Sequence, residues 1–159
     1  MATYQVALSS TRITPLILPE RSFGFTTRYY IPYSDIAVAS ATGNSDVIVV
    51  TLGTTPTNWM VQSAYAYVST AFAGTTALTM TVGTTSTANA FLASTTVETA
   101  GTIIPTNGPY SVNSPSNAVG TAAVSLTATF TNATGGSPSA LTAGAVEILL
   151  QVVDPGAVS

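Results

Sequence analysis

The stretch ALTMTVGTTSTANAFLASTTV, residues 77–97, contains the clearest strand, turn and strand pattern in the chain. Leu78, Met80 and Val82 alternate with threonines, which is the period of two expected for a strand with one buried and one wet face. A polar run over 84–89 interrupts the alternation, and apolar residues then resume. The stretch therefore predicts a central strand, a long polar loop and a second buried segment.

The same alternation of apolar and polar residues recurs along the rest of the chain. Strands are predicted in six further segments: 4–8, 36–41, 47–52, 59–72, 124–130 and 146–152. Segment 59–72 also fits helical spacing, but it has no Glu, Lys or Arg to solvate a helix, so a strand is favoured. Gly, Pro, Asn and Ser-rich turns separate these short strands, and no segment predicts a helix of any length. The pattern predicts an all-β fold, an antiparallel β-sandwich or jelly roll with an extended N-terminal arm.

Residues 1–34 differ from the rest of the chain. Pro15 and Pro19 flank an apolar patch, and proline lacks the backbone donor that a central strand needs. We expect 1–34 to form an arm or an edge segment and 35–159 to form a single β-sandwich domain. A chain of 159 residues is long enough to bury a sizeable core in one domain.

The same N-terminal segment contains all three arginines of the chain and a tyrosine cluster. Arginine and tyrosine are enriched among the residues that dominate binding energy at protein interfaces. The residues predicted to dock onto a partner are Arg12, Arg21, Arg28, Tyr29, Tyr30 and Tyr33. The alternative is that the tyrosines only cover one end of the sandwich.

Charge is sparse. Charged residues make up 6% of the chain, against roughly 25% in an ordinary soluble domain. Either hydroxyl side chains keep a threonine-rich surface soluble, or much of the surface lies against other subunits, where charges are costly to desolvate. The two readings are compatible. Three scattered arginines, no lysine and a net charge of −3 give no cationic patch for phosphates, so nucleic acid is not expected as a partner.

The residues of common catalytic and metal sites are largely missing. The chain has no His and no Cys, which removes imidazole bases, thiolate nucleophiles and the usual zinc ligands. Nothing in the sequence brings Glu98 and Glu147 together as a glycosidase pair. Asp46 and Asp154 lack the clustered acidic run of a calcium loop. We expect no enzyme activity, no cofactor and no metal; the glycosylation sequon at Asn132 is a weak match.

No apolar run approaches the ~18 residues that a membrane-spanning helix needs. The N-terminal sequence MATYQVALSS lacks the basic region and the apolar stretch of a signal peptide, so we expect a chain made in the cytoplasm.

Three segments carry a resemblance to a known group of proteins: VGTTSTANAFLASTTV at 82–97, TNGPYSV at 106–112 and VEILLQVV at 146–153. Their order behind a proline-containing arm resembles the small β-sandwich virion proteins of tailed bacteriophages, the decoration or cement proteins of capsids. The resemblance implies a capsid decoration role on the exterior of the virion, with the major capsid protein as partner and subunits that form trimers or other oligomers. No site residue carries over, because no residue-level motif matches.

Sparse charge also predicts self-association into a homo-oligomer, and the resemblance implies that this oligomer is a trimer. Two other functions stay open. A glycan-binding or receptor-binding module would use exposed aromatic rings in a groove, here Trp59, Tyr65, Tyr67 or Tyr110, which could instead be core residues. A fimbrial or surface-layer subunit would share the low charge and the threonine content but would need a secretion signal.

Overall fold

The computed structural model describes residues 1–15, 27–55, 57, 59–104, 119–132 and 135–153. It contains two β-sheets whose inner faces share one core, so the prediction of an all-β sandwich is confirmed. All pairs of strands in the described part of the chain are antiparallel except one, β1 (Thr3–Ala7) with β4 (Val47–Thr54), which is parallel.

The first sheet has five strands in the order β1-β4-β10-β6-β7. Its strands are β1 (Thr3–Ala7), β4 (Val47–Thr54), β6 (Leu78–Thr84), β7 (Leu92–Thr96) and β10 (Ser125–Asn132). The predicted strand at Leu78 is therefore an interior strand, and the segment behind its loop forms the edge strand β7.

The second sheet has six strands in the order β2-β3-β11-β5-β8, with β9 also paired to β5. Its strands are β2 (Ile13–Pro15), β3 (Thr27–Pro32), β5 (Trp59–Ala73), β8 (Ile103–Ile104), β9 (Val119–Gly120) and β11 (Ala143–Val153). The segment at 59–72 is thus a strand, as its composition predicts.

Alternation along the strands builds the core. The inward residues Ile48, Val50 and Leu52 of β4 are at most 1% exposed, and their outward neighbours are half-buried. The rings of Phe72 from β5 and Phe130 from β10 meet across the two sheets with centroids 5.8 Å apart. Burying such a side chain is worth roughly 1.5–3 kcal/mol, so these period-two strands supply the main force that holds the sheets together.

Backbone hydrogen bonds within the polar loop after β6 fix its conformation. The amide of Thr87 donates to the carbonyl oxygen of Thr84 at 3.2 Å, and the Thr84 amide donates back to Thr87 at 2.9 Å. The amide of Phe91 then donates to Val82 at 2.9 Å, which returns the chain to the sheet. Phe91 and Leu92 are fully buried, which confirms the second apolar segment predicted behind the loop.

The prediction of a strand at 36–41 is wrong. A single helical turn, α1 (Tyr33–Ile36), is followed by tight turns in which the Ala41 amide donates to the carbonyl oxygen of Val38 at 2.9 Å. Ile36 and Ala41 are fully buried, so the apolar residues of the segment fill the core from a compact loop. Local hydrogen bonds, together with the Ser139 amide that donates to the carbonyl oxygen of Ala41, take the place of a neighbouring strand.

The described parts of 1–34 belong to both sheets. The edge strand β1 belongs to the five-stranded sheet, whereas β2 is the edge strand of the six-stranded sheet and β3 lies next to it. Two short 3-10 turns, Ser10–Arg12 and Pro138–Ala140, complete the described elements.

Asp46 holds the start of β1. Its Oδ1 accepts the Ala2 amide at 2.8 Å and its Oδ2 accepts the Gly43 amide at 2.9 Å. These hydrogen bonds, that from Ala2 first, lower the pKa of the Asp46 carboxyl below its ordinary value of 3.8. A carboxyl whose pKa is lower in the folded state stabilises the fold above the unfolded pKa, and that contribution is lost as the pH falls through the folded pKa.

We therefore expect Asp46→Asn to lower the urea midpoint of unfolding at pH 7, because an amide has one acceptor oxygen where the carboxylate has two. The difference in urea midpoint between the variant and the native protein should shrink as the pH falls below about 4. Urea titrations at a series of pH values measure this difference. A gap of constant size across that range would contradict the assignment.

Candidate functional site

The outer face of the six-stranded sheet combines aromatic rings with an ion pair. Strand register places Tyr30, Glu147 and Tyr67 in one row across β3, β11 and β5. The next row is Arg28, Leu149 and Tyr65. We call these six residues the aromatic face. On this surface Arg28 and Tyr30, two of the predicted docking residues, lie beside Tyr65 and Tyr67.

Exposure separates the aromatic face from the core. Tyr65 and Tyr67 are 40% and 42% exposed, and apart from Met1 they are the large hydrophobic side chains that the described residues leave exposed. Their neighbours on β5, Ala64 and Ala66, are fully buried. Small residues therefore point inward on this strand while the rings point outward. An aromatic ring on a rigid strand offers a large contact area with little rotamer entropy to lose on binding.

Arg28 and Glu147 form a two-point ion pair across β3 and β11. Arg28 Nε donates to Glu147 Oε2 at 2.9 Å, and Arg28 Nη2 lies 2.7 Å from Glu147 Oε1. The hydrogen bond with Glu147 raises the pKa of Arg28 above its ordinary value. The pair cancels its own charge, so the aromatic face carries no net charge.

We expect this ion pair to contribute little to stability, because the Arg28 side chain is 40% exposed and water screens it. A double-mutant cycle with Arg28→Ala and Glu147→Ala should give a coupling energy of about 1 kcal/mol or less. The Arg12 and Asp35 pair, whose single contact is 3.5 Å long, is the matched control and should couple still more weakly. A coupling energy of several kcal/mol between Arg28 and Glu147 would contradict this reading.

Arg12 extends the aromatic face toward α1. Its Nε lies 3.5 Å from Asp35 Oδ2, and its guanidinium carbon lies 5.6 Å from the centre of the Tyr30 ring. That distance is within the range of a cation–π contact. The side chain of Tyr33, at the start of α1, is partly buried against the core. Of the predicted docking residues, the structure therefore brings together Arg12, Arg28 and Tyr30.

Tyr29 does not share this surface. It lies on the inner side of β3 and is 5% exposed, and burial raises the pKa of its phenol above the ordinary value of 10.0. Tyr29 is therefore part of the core and is not available on the surface to contact a partner. Arg21 lies outside the described residues.

Sequence reasoning placed Tyr65 and Tyr67 among possible glycan-binding rings and did not join them to the arginines. The missing information was register: only the pairing of β5 with β11, and of β11 with β3, brings these residues to the same face as Arg28 and Tyr30. The available signal was the alternation of small residues with tyrosine in AYAY at 64–67. The ring of Trp59 and all of Tyr110 lie outside what the structure describes.

The acidic residues have structural partners. Glu98 Oε1 accepts the Leu78 amide at 3.0 Å beside the five-stranded sheet, whereas Glu147 pairs with Arg28 on the six-stranded sheet. The structure thus assigns the two glutamates to different sheets, and Asp154 is not among the described residues. Across the described ranges, no group of three His, Cys, Asp or Glu residues could hold a metal ion, and no helix is long and apolar enough to cross a membrane.

Asn132, the acceptor residue of the sequon, is 1% exposed, and its side-chain amide donates to the carbonyl oxygen of Gly136. A buried and hydrogen-bonded amide is closed to glycosylation in the folded protein.

No protein-family model matches the chain, and no curated protein matches it. Its fold is similar to a chain in the solved capsid of Ralstonia phage GP4, with a TM-score of 0.54 and 19% identity over 94% of this chain and 97% of that one. A chain of the cyanophage Pam1 capsid asymmetric unit is more distant, with a TM-score of 0.45 and 13% identity over 91% and 94% of the two chains. At these identities the likeness concerns the fold, and the second is too distant to support an argument.

Proposed function

We propose that this protein is a non-enzymatic structural component of a bacteriophage virion, a decoration or cement protein on the capsid exterior. The observation that carries the proposal is the fold likeness to a chain of the Ralstonia phage GP4 capsid, which extends over nearly the whole of both chains. A match of this extent includes both sheets and leaves little of either chain outside the shared fold. The protein is made in the host cytoplasm and binds the major capsid protein.

The two outer surfaces of the sandwich support a directional role. The five-stranded sheet presents uncharged, half-buried threonines, among them Thr79 and Thr81 on β6 and Thr129 and Thr131 on β10. The six-stranded sheet presents the aromatic face. Aromatic residues and arginine are enriched at interfaces, and hydroxyl side chains are readily solvated. In the proposal the aromatic face lies against the shell and the threonine face lies toward solvent.

The segment 1–34 contributes the docking residues Arg12, Arg28 and Tyr30 to this arrangement. The Arg12 guanidinium lies over the Tyr30 ring, and Arg28 is held by two contacts with Glu147. Because Glu147 already restricts the Arg28 side chain, less side-chain entropy is lost when another protein binds. The docking surface is thus preorganised by the sheet.

Self-association into a homotrimer is the second part of the proposal. The chain has three cationic and six acidic residues, so wide areas of its surface can meet another subunit without desolvating a charge. Native mass spectrometry of protein released gently from particles should show three copies. A uniform monomer at high concentration would contradict this part.

The virion role is tested in the phage that encodes this chain. Purified particles should contain the protein in many copies by quantitative mass spectrometry. Particles from a phage with the gene deleted should assemble and then lose DNA at a lower temperature than native particles. Absence of the protein from purified particles would overturn the proposal.

The exposed rings of Tyr65 and Tyr67 favour one second candidate, a glycan-binding or receptor-binding module. Neighbouring outward residues on a strand are about 6.6 Å apart, so two rings can contact successive parts of an extended ligand. A glycan array probed with the purified protein tests this function. Specific binding that the Tyr67→Ser variant loses, together with absence from particles, would favour it over the shell role.

A further inference from the structure

Among the described residues, strand β1 pairs with β4 alone and its other edge is free. The Val47 amide donates to the carbonyl oxygen of Ala2 at 2.8 Å, and the Leu8 amide donates to Thr51 at 3.1 Å. In a parallel pair, alternate residues bond to the neighbouring strand, so the even-numbered residues of β1 face β4. The backbone N–H and C=O groups of Thr3, Gln5 and Ala7 therefore point away from β4, and no described residue pairs with them.

The other sheet edges carry features that discourage further pairing. Strand β7 contains a bulge opposite Met80 and Val82 of β6. Strand β2 has three residues and ends in Pro15, while β8 and β9 have two residues each. Bulges, proline and short length are the usual means by which proteins protect a sheet edge. Strand β1 has five residues in regular register and contains no proline, no bulge and no charge.

The sequence of β1 is complementary to itself. Its outward backbone groups belong to residues 3, 5 and 7, which are placed symmetrically about Gln5. In an antiparallel pair centred on Gln5, Thr3 meets Ala7 of the other strand and Gln5 meets Gln5. The pairs formed by residues 3, 5 and 7 are of the hydrogen-bonded type. The side-chain amide of Gln5 is both a donor and an acceptor, so it can bond to its own copy. No charged side chain of β1 would meet a like charge.

We infer that the free edge of β1 pairs with the same edge of a second copy of this chain, antiparallel and about a two-fold axis through Gln5. The contact joins the two five-stranded sheets into one sheet of ten strands. Pairing of one five-residue strand buries less than the ~800 Å² that a stable interface takes from each partner. The contact is therefore weak in dilute solution and is favoured at the high effective concentration of an ordered array. It can join neighbouring trimers, because a two-fold contact is distinct from a three-fold one.

Cysteine cross-linking tests the register. The chain has no native cysteine, so each variant carries one thiol. In the proposed pair the two Gln5 Cα atoms are about 5.5 Å apart, which is within the range of a disulfide. The two Thr3 Cα atoms are about 14 Å apart. At high protein concentration, Gln5→Cys should form a disulfide dimer at least tenfold faster than Thr3→Cys or Ala7→Cys alone, and a mixture of these two variants should cross-link to each other.

Ser94→Cys on the exposed part of β7 is the matched control for random collision. If Gln5→Cys cross-links no faster than this control, the proposed contact is wrong. If Thr3→Cys cross-links with itself as fast as Gln5→Cys, the register is wrong.

A second pair of variants blocks the edge without breaking the fold. Gln5→Lys places two like charges on the axis, and Gln5→Pro removes an amide that does not bond to β4. Both variants should keep the native circular dichroism spectrum and the proposed trimer, and should abolish the association beyond the trimer that the native protein shows in sedimentation at high concentration. If both variants associate as the native protein does, the inference is overturned. If the Gln5→Lys and Gln5→Pro variants associate normally but lose shell binding, the edge pairs with a strand of the shell protein instead. If Gln5→Cys fails to cross-link but the protein still binds shells, the inference is wrong and the proposed virion role stands.

Discussion

The Gly74→Ala variant is expected to lose most of its folding stability, about 4 kcal/mol or more. Gly74 follows β5 with φ of +104°, a backbone conformation that side chains with a Cβ rarely adopt. A Cβ at this position would lie 2.1 Å from the carbonyl oxygen of Ala140 and 3.0 Å from the Cα of Leu141. Both contacts involve backbone atoms, so no side-chain rotation can relieve them.

Relief would require the segment around Ala140 to move, and three interactions hold it in place. The Thr142 amide donates to Ala73 at 2.9 Å, the Ser139 amide donates to Ala41 at 3.2 Å, and Leu141 is 5% exposed. Moving the segment would break hydrogen bonds and expose a core side chain. The variant therefore loses stability through both backbone strain and lost packing.

Gly101→Ala is the matched control, because Gly101 also has positive φ, +81°, but nothing lies within 4 Å of a Cβ built on it. The Gly101→Ala variant should lose about 1–2 kcal/mol of folding stability, from backbone strain alone. Urea unfolding of both variants measures the difference. Equal losses would show that the contact with Ala140 contributes nothing.

The second large effect is on binding. We expect the double variant Tyr65→Ser, Tyr67→Ser to bind decoration-free shells at least thirtyfold more weakly than the native protein. Truncating a tyrosine at the centre of an interface commonly costs 2 kcal/mol or more, which corresponds to about thirtyfold in affinity. The two rings are 40% and 42% exposed and contribute little to the core, so the fold should remain intact.

The matched control lies on the opposite sheet. Thr81→Ala with Thr129→Ala removes two outward hydroxyl groups from the threonine face at paired positions. This variant should bind shells like the native protein, since the threonine face is proposed to lie toward solvent. Loss of binding in the threonine variant, with normal binding of the tyrosine variant, would reverse the proposed orientation.

Strand alternation made much of the fold readable from the sequence. The residues at Leu78, Met80 and Val82 are at most 1% exposed, and the intervening threonines are half-buried, as the period of two predicts. The failure at 36–41 has a physical reason: a short apolar segment can enter a core as a strand or as a compact loop. Periodicity alone does not separate these two outcomes.

The face of a strand was harder to predict than its existence. On β5, Val61 and Ala64 are both buried although they have opposite parity, because one extra residue lies opposite Gln151 and Val152 of β11. Such a bulge reverses which side chains face the core. The outward position of Tyr65 therefore followed from the pairing of strands that are distant in sequence.

The docking candidates show the same limit. The sequence identified the chemistry of the arginine and tyrosine cluster, but Tyr29 and Tyr30 are adjacent residues on opposite faces of β3. Without knowing which face of β3 is buried, both were predicted to dock. The aromatic face also draws residues from β5 and β11, and no local pattern near residue 30 could reveal them.

A cryo-electron microscopy map of the phage particle proposed to carry this chain, with focused refinement of the density assigned to it, tests the proposed orientation. We predict density for the sandwich on the capsid exterior, with the rings of Tyr65 and Tyr67 against the major capsid protein and Thr81 and Thr129 toward solvent. A map in which the aromatic face points to solvent, or in which the chain occupies no position on the shell, would contradict it.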